Sequence, residues 1–330
     1  MKGKDESLKM ENSGSEEGTR KALQHHLVLN EQLMVSVIIP TYKRSDMLPR
    51  AIASVLHQNY TNIQAVIVDD NNPDTEYRRN TEKLMAQYEA EPRVKYIKHS
   101  KNANGSVARN TGIKNADGEI VAFLDDDDFF YPDKVEKQVN YLLQHPQFHA
   151  VYCGWLRDGK SVIPTDEGNL SYNILSGDHI IYTNSIVMWK KDAISCGGWD
   201  ETFMRHQEAA FLLRYFRNGG SIGVVPQILV EFDVSDRSNA AGNPHKNEEQ
   251  TMHYLLSYQD MIAQCGKEKK NADKMIWSHR YRGIFLGYLK ARDIKGAISF
   301  WNRYCKKIPF RFSADMVDYT VKRAIKRKMT

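Results

Sequence analysis

The run Ile120-Val-Ala-Phe-Leu124, followed at once by Asp125-Asp-Asp-Asp128, constrains the fold of this chain more than any other stretch. Five apolar residues without a polar break predict a strand that is buried on both faces, as in a mostly parallel α/β sheet. The carboxylates that follow would repel one another strongly if all were charged and unpaired. A hard divalent cation, Mg²⁺ or Mn²⁺, relieves such repulsion and commonly also binds nucleotide phosphates. A solvated acidic turn is the alternative interpretation of this stretch taken alone.

The composition is typical of a soluble globular protein, with 26% charged and 41% hydrophobic residues in a chain of 330. This length suits one large domain with an appendage, or two domains. The apolar runs are far shorter than a membrane span, and the polar first thirty residues do not resemble a signal peptide. The cysteines have neither metal-ligand nor paired spacing, which favours reduced thiols. We therefore expect a cytoplasmic protein.

The net charge of +5 is concentrated in the C-terminal tail, where Lys and Arg outnumber the single Asp318. The rest of the chain is close to neutral, so its charge does not predict a nucleic-acid partner. In the same tail, Val317, Val321 and Ile325 alternate with the cations. This pattern is compatible with an interfacial helix that contacts anionic lipid at the inner face of the membrane, and equally with a solvated, frayed end.

The order of predicted elements indicates a doubly wound α/β sheet. Residues 1–33 have few apolar positions and are expected to form a flexible extension. After them, strands alternate with amphipathic helices, which favours a mostly parallel sheet with helices on both faces. The predicted strands are Val35–Ile39 (ended by Pro40), Ala65–Val68, Val94–Ile97, Ile120–Leu124, Phe148–Trp155, Ile180–Trp189 and a strand pair within Ile222–Phe232. We therefore divide the chain into an extension (1–33), an α/β domain (34–232) and a loop with a helical, basic C-terminal region (233–330).

Polar or acidic residues follow three of these strands, at Thr41-Tyr42, at Asp69-Asp70 and at Asp125 to Asp128. Doubly wound sheets bind ligands in the crevice beyond the carboxyl ends of their strands. Because the three groups would meet at one edge of the sheet, we expect a single ligand site there.

These stretches resemble the family 2 glycosyltransferases, which have the GT-A fold. The resemblance extends from about Val35 to Phe232. It rests on Val35-Ser-Val-Ile-Ile-Pro-Thr-Tyr42, Val68-Asp-Asp70, Ala108-Arg-Asn-Thr-Gly112, Phe123-Leu-Asp-Asp-Asp-Asp128, and Gly197-Gly-Trp-Asp-Glu201 with Gln207-Glu208 and Arg214. The sequence contains neither the Gln-x-x-Arg-Trp motif nor the membrane span that processive members normally carry. The resemblance therefore implies an inverting enzyme that transfers one sugar at a time.

The resemblance also implies how the donor nucleotide is held. Pro40 and Tyr42 would line the base, and Asp70 would accept a hydrogen bond from it, with the imide N–H of uracil as the expected donor. From the residues alone, Tyr42 could instead pack over the sheet edge, and Asp70 could be an Asx-turn residue that ends its strand. A UDP-sugar is the expected donor, and a saccharide or lipid-linked saccharide of surface-polysaccharide synthesis is the expected acceptor.

Asp125 and Asp127 resemble the two acids of the DXD motif. Asp125 would contact the ribose or sugar of the donor, and Asp127 would bind the divalent cation, Mn²⁺ or Mg²⁺. Asp126 fills the variable position between them and is grouped with the donor-binding residues. Arg109 matches a cation that relatives direct toward the phosphate or sugar, although it could simply pair with the acidic cluster.

Glu208 is the candidate general base. It shares a helical face with Phe211, Leu212 and Tyr215, so it should point toward the sheet. In relatives this position is usually Asp, preceded by Glu or Asp, whereas this chain has Gln207-Glu208. An ordinary helix-start carboxylate, and with it a catalytically silent nucleotide-sugar-binding protein, remains the alternative. In the segment that follows the α/β domain, Arg237 and His245 are expected to close over the diphosphate.

Two further classes fit the sequence less well. The stretch Ala65-Val-Ile-Val-Asp-Asp70 is similar to the start of a signalling receiver domain, but that fold leaves the first strand and helix unexplained. A sugar nucleotidyltransferase would need a glycine-rich basic loop after the first strand, and none follows Val35–Ile39.

Overall fold

A computed structural model describes residues 33–234 and 243–328, with side chains as far as Lys322. Within these ranges one mixed sheet contains all the strands. They are β1 (Val35–Thr41), β2 (Ile63–Asp69), β3 (Val94–Lys98), β4 (Ile120–Phe123), β5 (Phe129–Phe130), β6 (Ala150–Arg157), β7 (Lys160–Val162), β8 (Val187–Trp189) and β9 (Ile222–Phe232). The order across the sheet is β3-β2-β1-β4-β8-β6-β9-β5, and β7 pairs with β6.

Four neighbouring parallel strands form the half of the sheet that carries the predicted site. β1 pairs with β2 on one side and with β4 on the other, and β3 lies outside β2. β8 runs antiparallel to both of its neighbours, so the sheet as a whole is mixed. Every residue of β2 and of β4 is buried, which matches the continuous apolar runs of these strands.

Helices cover both faces of the sheet and then continue as a C-terminal bundle. They are α1 (Leu48–Leu56), α2 (Glu76–Met85), α3 (Gly105–Asn115), α4 (Lys134–Gln144), α5 (Ser171–Ser176), α6 (Lys190–Ser195), α7 (Gln207–Arg217), α8 (Pro244–Ser257), α9 (Gln259–Glu268), α10 (Ala272–Lys290), α11 (Ile294–Arg303) and α12 (Pro309–Lys328). Val37 and Ile39 of β1 pack in the layer that contains α1 and α4. Ile38 packs in the opposite layer, with α3 and α7. The predicted doubly wound α/β fold with a helical C-terminal region is confirmed.

Pro40 does not end the first strand, as the sequence pattern had indicated, because β1 continues through Thr41. The Ile38 carbonyl accepts from the Leu124 N–H, so the backbone hydrogen-bonding groups of residues 38 and 40 are directed toward β4. Pairing with β4 stops at Ile38, and the missing N–H of Pro40 therefore falls where the ladder has already ended. On the other side β1 stays paired with β2 as far as Thr41 and Asp69.

Two other strand predictions need correction. Most of the predicted strand Ile180–Trp189 is irregular: Thr183–Ser185 forms a 3₁₀ turn, and within this stretch only Val187–Trp189 forms a strand. The predicted strand pair within Ile222–Phe232 is one long strand, β9, whose register against β6 shifts next to Gly154. Pro226, which has no N–H to donate, lies in this irregular stretch and leaves the strand continuous.

The C-terminal helices pack against the layer that contains α7. Tyr254, Tyr258 and Ile276 belong to the same apolar cluster as Phe211, and the Tyr258 hydroxyl donates to the Ala210 carbonyl at 3.0 Å. Arg280 of α10 donates to the carbonyls of Ile174 and Leu175 at the end of α5. These helices are therefore continuous with the core that supports the site.

Some predictions fall on parts of the chain that the structure does not describe. The extension 1–33 lies outside the described residues except for Leu33, as do Arg237 and the side chains of Arg323, Lys326, Arg327 and Lys328. Among the described helices, none combines the length and the apolar character that crossing a membrane requires.

Candidate active site

One cleft of about 950 Å³ lies beyond the carboxyl ends of the parallel strands. All of the predicted site residues line it: Pro40, Tyr42, Asp70, Arg109, Asp125, Asp126, Asp127 and Glu208. β1, β2 and β4 end at this edge, and the first turn of α7 closes its far side. The juxtaposition that the strand order predicts is therefore present in the structure.

At one end of the cleft, the chain itself fixes the Asp70 carboxylate. Its Oδ1 accepts from the Ala103 N–H at 2.9 Å and lies 2.7 Å from His99 Nδ1. Its Oδ2 accepts from Asn102 Nδ2 at 2.8 Å. A carboxylate has about four acceptor positions, so one on Oδ2 remains for a further donor. Tyr42, which is 40% exposed, lines the cleft beside this carboxylate.

In the middle of the cleft, Asp125 and Asp127 are each paired with an arginine. Arg109 donates to Asp125 Oδ1 at 2.6 Å, and Arg44 donates to Asp127 Oδ2. Arg44 lies just past the strand end that carries Tyr42, and its role is missing from the sequence prediction. The sequence could have indicated this role, because Arg44 comes two residues after Tyr42 and therefore lies at the same edge of the sheet.

Asp126 and Asp128 are almost fully buried at the base of the cleft and brace the loop. Asp126 accepts from the Tyr42 N–H at 3.3 Å. Asp128 accepts from the Asn184 side chain and from the Asp233 N–H, the latter at 2.7 Å. Burial raises the pKa of Asp126 to about 7. Burial, together with the charge on Asp125, also raises the pKa values of Asp127 and Asp128, so the cluster carries more negative charge than its surroundings readily stabilise.

The donor set of this cluster fits a hard divalent cation. The cluster presents carboxylate oxygens, and burial together with the charges of neighbouring aspartates raises the pKa values of Asp126 and Asp127, an effect that a bound cation would offset. Within 33–234 and 243–328, no three His, Cys, Asp or Glu side chains are grouped so as to hold a metal by themselves. Mg²⁺ and similar ions are commonly held by one or two carboxylates together with substrate phosphates, so a shared site of this kind needs no third protein ligand.

Glu208 occupies the second position of α7 and faces the cleft, half-buried. Burial raises the pKa of this carboxyl, and its own backbone N–H and the Arg109 charge counteract part of the effect. Desolvation therefore outweighs the favourable contacts at the helix N-terminus. A carboxylate with a raised pKa at the mouth of a cleft can accept a proton from a bound hydroxyl.

Arg109 links the acidic cluster to the start of α7. Besides Asp125, its guanidinium donates to Gln207 Oε1 at 3.1 Å. The same group lies 4.8 Å from the centre of the Trp199 ring. Arg109 therefore pairs with the acids, as one interpretation of the sequence holds, and it also contacts the residue next to Glu208.

The segment 197–201 positions α7 through Asn110 and Trp199. The Asn110 side chain accepts from the Trp199 N–H and donates to the Trp199 carbonyl, each at 2.8 Å. The Trp199 ring stacks on Phe211 of α7 at 4.4 Å between ring centres. This support explains why a Gly-Gly-Trp segment precedes the helix that carries Glu208.

His245 does not close over the donor cleft. It lies on α8, where Nε2 is 2.8 Å from Asp293 and Nδ1 is 3.1 Å from the Tyr288 hydroxyl. The expectation was wrong because residue 245 belongs to a helix that is tied to α10 and not to a loop over the cleft.

Comparison with known proteins places the chain in a family. The profile of "Glycosyl transferase family 2" matches residues 36–198. An uncharacterized glycosyltransferase of Rickettsia conorii is 37% identical over 66% of this chain, which spans only 36% of that relative's length. An uncharacterized glycosyltransferase of Haemophilus influenzae is 36% identical over 54% of this chain and 70% of its own. The amylovoran biosynthesis glycosyltransferase AmsB of Erwinia amylovora is 25% identical over 70% of this chain and 78% of its own.

Solved structures share the fold at low sequence identity. The mannosyltransferase PcManGT of Pyrobaculum calidifontis, in complex with GDP-Man and Mn²⁺, matches with a TM-score of 0.56 at 17% identity, over 89% of this chain and 86% of its own. S. aureus TarS 1–349 in complex with UDP-GlcNAc matches with a TM-score of 0.54 at 15% identity, over 83% and 92%. With the family profile and the relatives, these likenesses show that the chain belongs to glycosyl transferase family 2 and has the GT-A fold.

Proposed function

We propose that this glycosyltransferase moves a single sugar, with inversion, from a UDP-sugar to a hydroxyl group of a saccharide or lipid-linked saccharide. One observation carries the proposal. Asp125 and Asp127, suited to a metal-bound diphosphate, and Glu208, suited to a proton acceptor, line the same cleft. Its volume of about 950 Å³ falls within the usual range for small-molecule sites.

The choice of uridine rests on Asp70. The acceptor position left on its Oδ2 suits the single imide N–H of uracil better than the paired N–H groups on the Watson–Crick edge of guanine. Tyr42 supplies an exposed ring for stacking, and Pro40 lines the same end of the cleft. The TarS complex with UDP-GlcNAc is a precedent for this donor class on the same fold.

The cation would be held by Asp127, with Asp125 toward the ribose or sugar. Mg²⁺ or Mn²⁺ at this position would offset the charge that develops on the departing nucleoside diphosphate. Arg44 and Arg109, which pair with the two carboxylates, lie where they can contact phosphate oxygens as well. The PcManGT complex with GDP-Man and Mn²⁺ supports a metal-dependent mode for this fold.

Catalysis itself depends on Glu208. Its carboxylate would accept the proton of the acceptor hydroxyl as that oxygen attacks C1 of the sugar from the side opposite the diphosphate. The bond from C1 to the diphosphate oxygen breaks in the same step, so the configuration at C1 is inverted. General-base assistance of this kind contributes ~10²–10⁴-fold to the rate.

The biological setting is proposed from the relatives. AmsB is named for amylovoran biosynthesis, and a Bacillus subtilis relative bears the name "Putative teichuronic acid biosynthesis glycosyltransferase TuaG". A role in the synthesis of a surface polysaccharide follows from these similarities. The acceptor would then be a growing saccharide, free or lipid-linked.

Two measurements on the whole chain test the proposal. Calorimetry compares the binding of UDP and GDP in Mn²⁺ and in EDTA. UDP should bind more tightly than GDP, and its affinity should be higher in Mn²⁺ than in EDTA. Asp127→Ala should remove this dependence on the metal. Mn²⁺-dependent release of UDP from a panel of UDP-sugars should then identify the donor. Tighter binding of GDP than UDP would contradict the uridine assignment. Binding of a UDP-sugar with no UDP release would favour the catalytically silent binder.

We also propose that α12 contacts the anionic inner face of the membrane. Phe310, Val317 and Val321 lie on one helical face and are 91%, 64% and 51% exposed. Lys306, Lys307 and Arg311 precede or flank this face, and each cation near an anionic surface contributes ~1 kcal/mol. In a sedimentation assay with phosphatidylglycerol-containing liposomes, the wild type should pellet with the liposomes. The variant Phe310→Ser/Val317→Ser should stay in the supernatant. Equal sedimentation of both proteins, or no sedimentation of the wild type, would contradict the proposal.

A further inference from the structure

A second cavity, of about 270 Å³, lies beside the donor cleft. Its walls are the turn 202–205 and the outer face of α8. Met204, which is 64% exposed, lines both this cavity and the donor cleft. The two spaces therefore adjoin at Met204, four residues before Glu208.

The wall that α8 contributes is one regular polar face. Lys246, Glu249, Gln250 and His253 follow one another at spacings of three, one and three residues, which places them on the same side of the helix. Together they present cationic, anionic, amide and imidazole groups in a row. Such a row can donate to and accept from several hydroxyl groups at once.

The opposite wall is mixed: Met204 is apolar and exposed, and Thr202 and Arg205 are polar. Phe203 is buried between the two walls, with its ring 4.8 Å from the His253 ring and the two planes inclined by 36°. Met204 supplies the exposed apolar side chain of this wall. A pyranose ring has an apolar C–H face and a rim of hydroxyl groups. The cavity offers the apolar Met204 side chain together with polar groups on both walls, a combination that suits a ligand with an apolar face and several hydroxyl groups.

A third cavity continues the groove along α8. It has a volume of about 540 Å³ and shares Glu249 and His253 with the second. Its far side carries Tyr304 and Arg303. From Lys246 to Leu256 the helix rises roughly 15 Å at 1.5 Å per residue, so the combined groove is long enough for more than one sugar unit.

The buried charge at the base of the third cavity is already balanced. Glu248 is 6% exposed, and its carboxylate accepts from the Tyr288 hydroxyl at 2.6 Å and from Arg303 at 2.9 and 3.0 Å. These contacts tie α8 to α10 and α11. The floor of the groove is therefore preorganised.

We propose that these two cavities form the acceptor groove, which binds a saccharide of two or more sugar units and delivers its terminal hydroxyl past Met204 to Glu208. This inference rests on the proposed function, because it takes Glu208 as the proton acceptor. It adds the surface that recognises the acceptor and an acceptor length of at least two sugar units. The C-terminal helices thereby supply a substrate site in addition to support for α7.

An array of defined bacterial oligosaccharides tests the groove, probed with labelled full-length protein in saturating UDP and Mn²⁺. The test variant is Gln250→Ala/His253→Ala. The matched control is Glu82→Ala/Lys98→Ala, a polar pair that lines an unrelated cavity. We expect the wild type and the control to retain saccharides of two or more units, and the test variant to bind them about tenfold or more weakly, as the loss of a hydrogen bond and a ring contact predicts.

Calorimetry with UDP on the same three proteins keeps the outcomes distinct. Unchanged UDP affinity in the test variant shows that its donor cleft is folded. Equal retention of saccharides by the test variant and the wild type would overturn the groove, as would a wild type that binds UDP but retains no saccharide. A wild type that binds saccharides through the groove but not UDP would instead overturn the proposed donor.

Discussion

Arg109 lies 2.6 Å from Asp125 and joins the acidic cluster to the helix that bears the proposed base. Its second partner is Gln207, at 3.1 Å. We expect Arg109→Ala to lower UDP release from the donor by roughly 10–100-fold, the loss of one or two charge-assisted hydrogen bonds. Arg79→Ala, at an exposed arginine that donates to the Asp74 carbonyl, is the control. A steady-state assay that finds both variants equally active would remove Arg109 from the site.

Asp70 is predicted to recognise the N3–H of uracil through its remaining acceptor position. Wild-type protein should therefore bind N3-methyl-UDP much more weakly than UDP, by about 1.5–3 kcal/mol or some 10–100-fold. In Asp70→Ala the two ligands should bind almost equally, because the discriminating carboxylate is gone. Calorimetry with UDP and N3-methyl-UDP, on the wild type and on Asp70→Ala, measures this difference. Persistent discrimination by Asp70→Ala would place base recognition elsewhere.

The pH dependence of stability should reveal the burial of Asp126. Because burial raises its pKa to about 7, the folded protein holds this proton more tightly than the unfolded chain does. The associated stability is fully present below about pH 4 and is lost as the pH rises through 7. Asp126→Asn should therefore raise Tm at pH 8 in EDTA, and much less at pH 4.5.

The expected increase in the free energy of unfolding at pH 8 is roughly 1–3 kcal/mol. This corresponds to a pKa shift of about one to two units that neighbouring groups do not offset. Differential scanning fluorimetry across pH measures it. Asp46→Asn, at an exposed position, should leave Tm unchanged at both pH values. An Asp126→Asn variant that is less stable than the wild type at pH 8 would contradict the sign of this effect.

Gly198 is predicted to be required for the support of α7. Its φ is +64°, and a Cβ there would lie 2.5 Å from Asn110 Oδ1, the atom that accepts the Trp199 N–H. Gly219 has a similar φ of +83° but open space around it. Each Gly→Ala change should cost about 1–2 kcal/mol of backbone strain, and Gly198→Ala should cost more and also reduce UDP release. Equal chemical-denaturation midpoints for the two variants would show that the Asn110 contact is unimportant.

The site residues at the ends of β1, β2 and β4 were predictable because each follows its strand directly. Tyr42, Asp70 and Asp125 are fixed to the sheet edge by local sequence, and parallel pairing of β1, β2 and β4 brings them together. The partners of these residues were not predictable in the same way. Arg44 reaches Asp127 from the loop that follows β1. His99 follows β3 directly, and it meets Asp70 because of the β2–β3 register, which pairs Asp69 with Lys98 and which local sequence does not specify.

The same distinction applies to the fold. Continuous apolar runs identified β2 and β4. Pro40 led to the wrong end for β1, because the effect of a proline depends on whether the neighbouring strand on its N–H side is still paired at that position. Ile180–Trp189 was apolar enough for a strand, but Asn184 turns inward to accept from the Asp125 N–H at 2.9 Å and to donate to Asp128. That requirement of the acidic loop overrides local strand propensity.

The role of Glu208 is tested most directly by UDP release from the bound UDP-sugar, with water in place of the acceptor. We predict that Glu208→Gln lowers the rate by ~10²–10⁴-fold while its Kd for UDP in Mn²⁺ stays at the wild-type value. Because burial raises the pKa of Glu208, the wild-type rate should also fall on the acid side at a pH above that of an ordinary glutamate. Glu268→Gln, in the remote helix α9, should behave as the wild type. A Glu208→Gln rate within about threefold of the wild type would contradict the assignment of Glu208 as the base.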